Sequence, residues 1–280
     1  MKLSDVINQQ WIDPNLHSGT YNSANPFPHI IMHDFLNKEL LKRVADEFPD
    51  LAQQIDGSVV KYEDSRQIKL QGIGMGVLSP AALHITSYLQ SDLFLGWLNS
   101  LTGIKELLIS DPYLAGGGYH EIKSGGLLKV HADFNKHSQL DLDRRLNLLI
   151  YLNEDWDDSW NGALQLFDEN MDTAIQTVMP KFNTAVLFTT TSFTYHGHPD
   201  SLMCPPDRSR KSLAYYYYSN GRPKGEVSKE KHTTLFKKRK GESFGNDYSM
   251  KSLVRDVTPP IVIKLYRRIL KICYALERGN

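Results

Sequence analysis

The chain has 280 residues, of which 41% are hydrophobic and 23% are charged, and its formal net charge is zero. These proportions are typical of a soluble globular protein, and the length allows a large buried core. Because acidic and basic residues balance, no overall field attracts nucleic acid, and a nucleic-acid substrate is not expected. Cys204 and Cys273 are too few for a disulfide framework. The first residues lack a signal-peptide pattern and no apolar run reaches membrane-spanning length, so we expect a cytoplasmic protein.

The first third of the chain is predicted to support the domain that follows. Residues 1–25 are polar and mixed, and we interpret them as an irregular leader. Residues 26–105 should supply a strand and helices, beginning with a strand at 26–31. Residues 36–48 then suit a helix, with Asn37 as N-cap and apolar residues at helical spacing.

A charged, glycine-interrupted stretch at residues 50–78 favours a loop that helps to form a substrate entrance. Ser79 and Pro80 open a longer helix, with Pro80 at its first position. The apolar stripe of this helix continues to Leu101 and predicts packing against a sheet.

Short strand-like runs separated by turn residues begin at Leu107, which is typical of an antiparallel barrel or sandwich. This alternation does not separate a jelly roll from another sandwich. The predicted strands are 107–114, 117–123, 127–134, 146–152, 163–167, 184–190 and 211–219.

Residues 223–280 form a basic C-terminal extension that breaks the strand pattern. A helix is predicted from Asp256 to about Leu276, with apolar residues along one side and basic residues on others. Its segment 258–276 can bind an anionic membrane surface or a partner, or it can dock on its own protein. We favour docking, because hydrophobic periodicity is first a packing signal.

His131 and Asp133 are two residues apart in a segment that has the pattern of a β-strand or its end. Alternation with period two places both side chains on one face. An imidazole and a carboxylate supply two of the three protein ligands of a 2-His-1-carboxylate iron site. The third ligand should be another histidine, and His196, after an apolar strand-like run, is the candidate. His198 competes with it, because it lies two residues further on the same face.

Arg210 and Ser212 share one face of a strand-like run that follows the candidate ligands. A buried arginine beside a hydroxyl suits a small dicarboxylate, because the planar guanidinium can bind a carboxylate through two hydrogen bonds. Arg208 and Lys211 are the alternatives. Arg208 is farther from the strand body, and Lys211 should point to the opposite face.

The ordered set His131-x-Asp133, His196 and Arg210-x-Ser212 resembles the iron(II)/2-oxoglutarate-dependent dioxygenases, in particular their prolyl-4-hydroxylase-like branch. The likeness extends over about residues 25–222. It includes the segments Arg145-Leu-Asn-Leu-Leu-Ile-Tyr-Leu-Asn153, Gly162-Ala-Leu-Gln-Leu166 and Asn25-Pro-Phe-Pro-His-Ile-Ile31.

The resemblance implies a mainly β fold with flanking helices, whose core at residues 106–222 is a double-stranded β-helix, or jelly roll. It implies Fe(II), 2-oxoglutarate and O2 as cofactor and co-substrates, with ascorbate as a stimulating reductant. His131, Asp133 and His196 would bind the iron, and Arg210 the distal carboxylate of 2-oxoglutarate. The family pattern has glycine after the last ligand, as at Gly197, and then an apolar residue, where this chain has His198.

Further site residues follow from the same resemblance. Tyr119 stands where family members often have a tyrosine that assists Arg210, and Asn147 would contact 2-oxoglutarate or the iron-bound water. Asn135 and Trp156 lie near the metal ligands in the sequence, and for that reason they are candidates, with His198, for contact with the primary substrate.

The implied activity is hydroxylation of an unactivated C–H bond of a small molecule, peptide or glycan, with release of succinate and CO2. An aspartate at position 133 favours hydroxylation, since related halogenases have a small residue there. The alternatives are a desaturase or cyclising oxidase with the same iron centre, and a non-catalytic jelly-roll binding module. The charge of residues 50–78 and 134–145 would suit a polar or anionic substrate.

Overall fold

The computed structural model describes residues 2–54, 57–228, 231–237 and 239. All of them belong to the first of two compact units, which runs from Met1 to Glu242. The helix expected over residues 256–276 lies outside the described residues. None of the described helices is long and apolar enough to cross a membrane.

The described part of the chain contains four α-helices and thirteen β-strands. The helices are α1 (Asn15–Asn22), α2 (Lys38–Asp46), α3 (Pro80–Leu89) and α4 (Asp92–Thr102). The strands are β1 (His29–Met32), β2 (Val59–Glu63), β3 (Ile68–Gly72), β4 (Ile109–Ser110), β5 (Gly118–Lys123), β6 (Leu128–Ala132), β7 (Asp143–Tyr151), β8 (Leu164–Phe167), β9 (Ala174–Val178), β10 (Ala185–Thr189), β11 (His196–His198), β12 (Ser209–Ser219) and β13 (Leu235–Phe236).

The strands form two antiparallel sheets. The first has the order β1-β10-β7-β12-β5-β3-β2, with β4 also paired to β12, and the second has the order β13-β6-β11-β8-β9. Side chains from both sheets meet in a cluster that includes Tyr151, Leu164, Leu166, Val186 and Phe188. This arrangement confirms the expected mainly β, jelly-roll fold with flanking helices.

The helices cover the other face of the first sheet. Leu148 on β7 and Leu213 on β12 are fully buried in a cluster with Leu41, Ile85 and Trp97 of α2, α3 and α4. Burying a large apolar side chain contributes about 1.5–3 kcal/mol, so this layer is a main source of stability. The predicted apolar stripe therefore packs against a sheet.

Side-chain caps set the helix boundaries. The side chain of Asn37 accepts a hydrogen bond from the Leu40 amide at 3.0 Å, as predicted. The single helix expected from Ser79 to Leu101 is instead two helices, α3 and α4. The chain breaks at Ser91 because its hydroxyl accepts from the amide of Phe94 and begins α4.

Two segments expected to be irregular are part of the fold. The leader contains α1, and its Tyr21 is buried with its hydroxyl 2.6 Å from that of Thr189. Within residues 50–78, β2 and β3 form a hairpin that extends the first sheet beyond β5. This hairpin is polar because it lies at the sheet edge and buries few side chains.

The second sheet continues beyond residue 222. β13 pairs with β6, and its Phe236 lies opposite His131. Residues from the basic extension thus contribute a strand beside the one that carries the candidate ligands.

Candidate metal centre

The second sheet brings the three predicted metal ligands together. His131 on β6 lies directly opposite His196 on β11, and Asp133 follows the end of β6. Nε2 of His131 is 3.6 Å from Oδ1 of Asp133, and Nε2 of His196 is 3.3 Å from Oδ2. One ligand atom from each residue lies within 4.8 Å of the others, and all three side chains are buried.

Backbone carbonyls orient both imidazoles. Nδ1 of His131 lies 2.8 Å from the Lys129 carbonyl oxygen, and Nδ1 of His196 lies 3.2 Å from that of Thr194. A carbonyl can only accept, so each Nδ1 carries the proton and each Nε2 presents its lone pair. Both Nε2 atoms face Asp133, which is the arrangement that metal-binding histidines require.

Asp133 is held by two polar side chains on the first sheet. Arg144 donates from Nη2 to Oδ2 at 3.1 Å, and Asn147 donates from Nδ2 to the same oxygen at 2.6 Å. Burial raises the pKa of Asp133, but the charge of Arg144, together with the contacts to the rings of His196 and His131, more than offsets it and holds this pKa well below its usual range. The carboxylate is therefore charged and ready to bind a cation.

Arg144 is a fully buried cation whose role the sequence did not reveal. Its guanidinium carbon lies 3.5 Å from the centroid of the Tyr216 ring and 4.2 Å from that of Phe134. β7 pairs Leu146 with Tyr217 but Arg144 with Tyr218, so a bulge falls at Arg145. Strict alternation from Asn147, which faces the metal ligands, would point Arg144 to the opposite face. The bulge reverses this and turns Arg144 towards the metal ligands.

Arg210 lies on the inner face of the first sheet and is 5% exposed. Its Nε donates to the Gly162 carbonyl at 2.7 Å, and its Nη2 donates to the Tyr151 hydroxyl at 3.2 Å. Ser212 shares this face, opposite His120 and Tyr151 on the neighbouring strands. Nη1 of Arg210 has no hydrogen-bond partner among the described residues.

The alternatives to Arg210 point elsewhere. Arg208 donates to the carbonyl of Glu154, and its guanidinium lies against Trp160. The ammonium of Lys211 lies 4.8 Å from the ring centroid of Phe48, on the opposite face of β12. Only Arg210 of the three faces the space between the sheets.

His198 is buried on the same strand as His196 but is not part of the metal cluster. Burial, and then the charge of Arg210, hold the pKa of His198 well below its usual range, so its ring is neutral. Neither ring nitrogen has a hydrogen-bond partner within the described part of the chain.

Three other predicted residues contact groups other than the metal ligands. Tyr119 lies on the opposite face of β5, with its hydroxyl 3.1 Å from that of Ser79, and Tyr151 is instead the tyrosine beside Arg210. Trp156 donates to the Asn161 carbonyl and packs in a cluster with Ile122, Leu202 and Cys204. The side-chain oxygen of Asn135 accepts from the amide of His232 and so holds the segment before β13.

These residues fit ferrous iron and 2-oxoglutarate. Two imidazole nitrogens and one carboxylate are the donor set of non-haem iron(II) oxygenases. The ring nitrogens of His198 mark a position where a bound ligand would supply hydrogen-bond partners, because buried polar groups without partners are rare. The hydrogen bonds of Arg210 use Nε and Nη2 and leave Nη1 for a carboxylate.

Comparison with known proteins agrees with this geometry. Residues 117–218 match the family model described as the 2OG-Fe(II) oxygenase superfamily. No curated protein sequence gives a significant match.

Two solved structures share the fold. A prolyl-4-hydroxylase from Pseudomonas putida is 16% identical, and the alignment covers 74% of this chain and 100% of that one, with a TM-score of 0.51. A prolyl hydroxylase from Trichoplax adhaerens, in complex with a hypoxia inducible factor oxygen degradation domain peptide fragment, is 17% identical. That alignment covers 76% of this chain and 93% of the other, with a TM-score of 0.55. The family match and the His131, Asp133 and His196 site confirm the resemblance that the motifs predicted: residues 117–218 match the 2OG-Fe(II) oxygenase superfamily, whose members use Fe(II), 2-oxoglutarate and O2.

Proposed function

We propose that this chain is a hydroxylase, in which His131, Asp133 and His196 bind Fe(II) and Arg210 binds 2-oxoglutarate. The observation that carries the proposal is the buried cluster of two Nε2 atoms and one carboxylate within 4.8 Å. When bound, ferrous iron with 2-oxoglutarate activates dioxygen to oxidise an unactivated C–H bond, releasing succinate and CO2.

Arg210 is suited to the distal carboxylate of 2-oxoglutarate. Its Nε and Nη2 are fixed by Gly162 and Tyr151, so the guanidinium is held in one orientation before the ligand arrives. Such preorganisation lowers the entropy lost on binding. The hydroxyl of Tyr151, which accepts from Arg210, keeps its own proton to donate to the same carboxylate.

Asp133 is held so that one oxygen remains for the metal. Arg144 and Asn147 both donate to Oδ2, which leaves Oδ1 beside Nε2 of His131. Thr190 in turn donates to Oδ1 of Asn147 at 3.3 Å. Hydrogen bonds of this kind fix a ligating carboxylate and support metal affinity.

Apolar rings pack against both ligating imidazoles. The ring of Phe188 lies 4.7 Å from that of His196, and Phe236 lies 5.3 Å from His131, measured between ring centroids. Apolar rings around the ligands lower the local dielectric constant, which strengthens the charge interactions inside. A dry site also protects a reactive oxidant from side reactions.

The test is succinate formation from 2-oxoglutarate by the purified protein with ferrous iron in air. We expect turnover in the parent and its loss in His131→Ala, Asp133→Ala and Arg210→Ala. Product mass separates hydroxylation, which adds an oxygen atom, from desaturation or cyclisation, which removes two hydrogens. A parent that binds neither metal nor 2-oxoglutarate would instead support a binding module.

A matched pair of variants tests the third ligand. His196→Ala removes a member of the metal cluster, whereas His198→Ala removes a buried imidazole from the same strand that is outside it. We expect the first to lose Co(II) binding and the second to retain it. The reverse result would transfer the ligand role to His198.

A further inference from the structure

Lys69 is a cation on the inner face of the first sheet that has no ion-pair partner among the described residues. It lies two residues before Gln71, which is opposite His120, so Lys69 faces the same way as Gln71. Its ammonium lies 4.9 Å from the centroid of the Tyr62 ring. The expected entrance segment 50–78 thus places a charged side chain towards the metal centre.

The surroundings of Lys69 connect it with the candidate site. The charge of Asp133 raises the pKa of Lys69, and the charge of Arg144 lowers it. The positive charge of Lys69 in turn lowers the pKa of His120 and of His198. Lys69 and Arg144 are therefore two cations near one carboxylate, and that carboxylate already accepts hydrogen bonds from Arg144 and Asn147.

The charges at the site do not balance. Three cations near the metal centre, Lys69, Arg144 and Arg210, are accompanied by the carboxylate of Asp133, whereas the buried carboxylate of Asp111 lies 3.2 Å from Nε2 of His137. Ferrous iron and the 2-oxoglutarate dianion neutralise each other, so two positive charges remain. Unpaired charges that are partly removed from water are costly, and an added anion relieves that cost.

Arg144 also has a free hydrogen-bonding edge. Nη1 is buried without a partner, while Nη2 and Nε are used by Asp133 and Asn147. A buried guanidinium nitrogen without an acceptor is unusual and marks a position where a ligand oxygen would fit.

We propose that the primary substrate carries an anionic group, a carboxylate or a phosphate ester, which binds between Lys69 and Arg144 beside the metal ligands. This inference rests on the proposed oxygenase function and narrows its substrate class. Neighbouring space is available for the rest of the substrate. A cavity of about 550 Å³ is lined by Phe134, which packs on Arg144, together with Gly116, Lys136, Lys231 and His232.

The experiment measures binding of inorganic sulfate and of acetate to the full chain loaded with Zn(II) and saturating 2-oxoglutarate. Sulfate stands for a phosphate ester and acetate for a carboxylate, and Zn(II) prevents turnover. We expect one of the two to bind saturably, about tenfold more weakly in Lys69→Met, and with nearly parental affinity in Lys69→Arg. Lys61→Met is the matched control. Lys61 lies on β2 opposite Leu70 of β3, so it is on the face of the hairpin that Lys69 does not occupy, and it pairs with Glu63 at 2.8 Å.

The possible outcomes are distinct. If 2-oxoglutarate binds but neither anion does, or if Lys69→Met binds the anion as the parent does, the inference is wrong and the proposed function stands. If the parent binds neither Zn(II) nor 2-oxoglutarate, the proposed function fails, and the inference that rests on it fails with it.

Discussion

Nη2 of Arg144 donates a hydrogen bond to Oδ2 of Asp133 at 3.1 Å, so a fully buried cation holds the carboxylate that faces the metal position. This contact has two opposing effects on metal binding. It orients the carboxylate, but its positive charge repels a divalent ion. Asn147 donates to the same oxygen but carries no charge. Replacing Asn147 therefore tests the orientation of the carboxylate separately from the repulsion by a nearby cation.

Asn147→Leu should weaken metal binding by about 10- to 100-fold, because Oδ2 of Asp133 loses its 2.6 Å hydrogen bond while no charge is removed. Co(II) titration measures this affinity, and urea unfolding shows whether the variant remains folded. Thr190→Val is the control, since it removes only the 3.3 Å bond from Thr190 to Asn147 and should have a smaller effect. Equal metal affinity in the parent and Asn147→Leu would show that Asp133 needs no such support.

Gly162→Ala should weaken 2-oxoglutarate binding with little effect on metal affinity. An added Cβ would lie 2.5 Å from Leu202 and 3.2 Å from Cδ of Arg210, so the arginine must shift. Gly125→Ala is a matched control, because Gly125 has nearly the same φ, +80° against +82°, with nothing within 4 Å of an added Cβ. Both variants carry a backbone penalty of about 1–2 kcal/mol, but only the first should change the 2-oxoglutarate affinity, measured by calorimetry on the Zn(II) form.

Tyr151→Phe should weaken 2-oxoglutarate binding about fivefold, because Arg210 loses the hydroxyl that accepts from Nη2 at 3.2 Å. That loss corresponds to about 1 kcal/mol, the usual net value of a hydrogen bond. Tyr119→Phe is the comparison, since Tyr119 is the tyrosine that the family resemblance indicated. Its hydroxyl contacts Ser79 on the far face of β5, so its removal should leave this affinity unchanged. A loss in Tyr119→Phe alone would restore the role that the resemblance implied.

The tyrosines show where prediction from the sequence ends. Period-two alternation places Arg210, Ser212 and Tyr216 on one face, because all three lie in one strand. It does not say which face of β5 lies beside them. That depends on the register between β5 and β12. Because Ser212 lies opposite His120, His120 shares the face of Arg210, and Tyr119 points to the opposite face of the sheet. A pattern within one strand is therefore predictable, whereas a contact between strands is not.

Arg144 and the β2–β3 hairpin illustrate two further limits of prediction from the sequence. The bulge at Arg145 reverses the phase of β7, and bulges leave no signal in hydrophobic alternation. The hairpin is polar because it is an edge, so it resembles a loop in sequence. His131 and Asp133 could be predicted because they lie two residues apart on one strand face, and His196 because the ordered family motif places a histidine after them. The mainly β fold followed from the turn-separated runs and the family resemblance.

The affinity for the anion that Lys69 binds should fall as pH rises through about 8. Burial, opposed by the charge of Asp133 and reinforced by that of Arg144, lowers the pKa of Lys69 to about 8, so its ammonium is charged below this pH and neutral above it. The other groups that face it are His120, His198 and Tyr62. Sulfate suits this measurement because it keeps both charges from about pH 6.5 to about pH 9.5. Bound sulfate stabilises the ammonium, so affinity should decline from about pH 8 upward and level off only at a higher pH.

Lys69→Arg separates this titration from other effects of pH. A guanidinium stays charged throughout the range, so this variant should show no decline near pH 8. Lys61→Met should decline as the parent does, because Lys61 lies on the other face of the hairpin. A parent whose sulfate affinity is constant over the range, or a Lys69→Arg variant that declines in parallel with it, would assign the anion to a group other than Lys69.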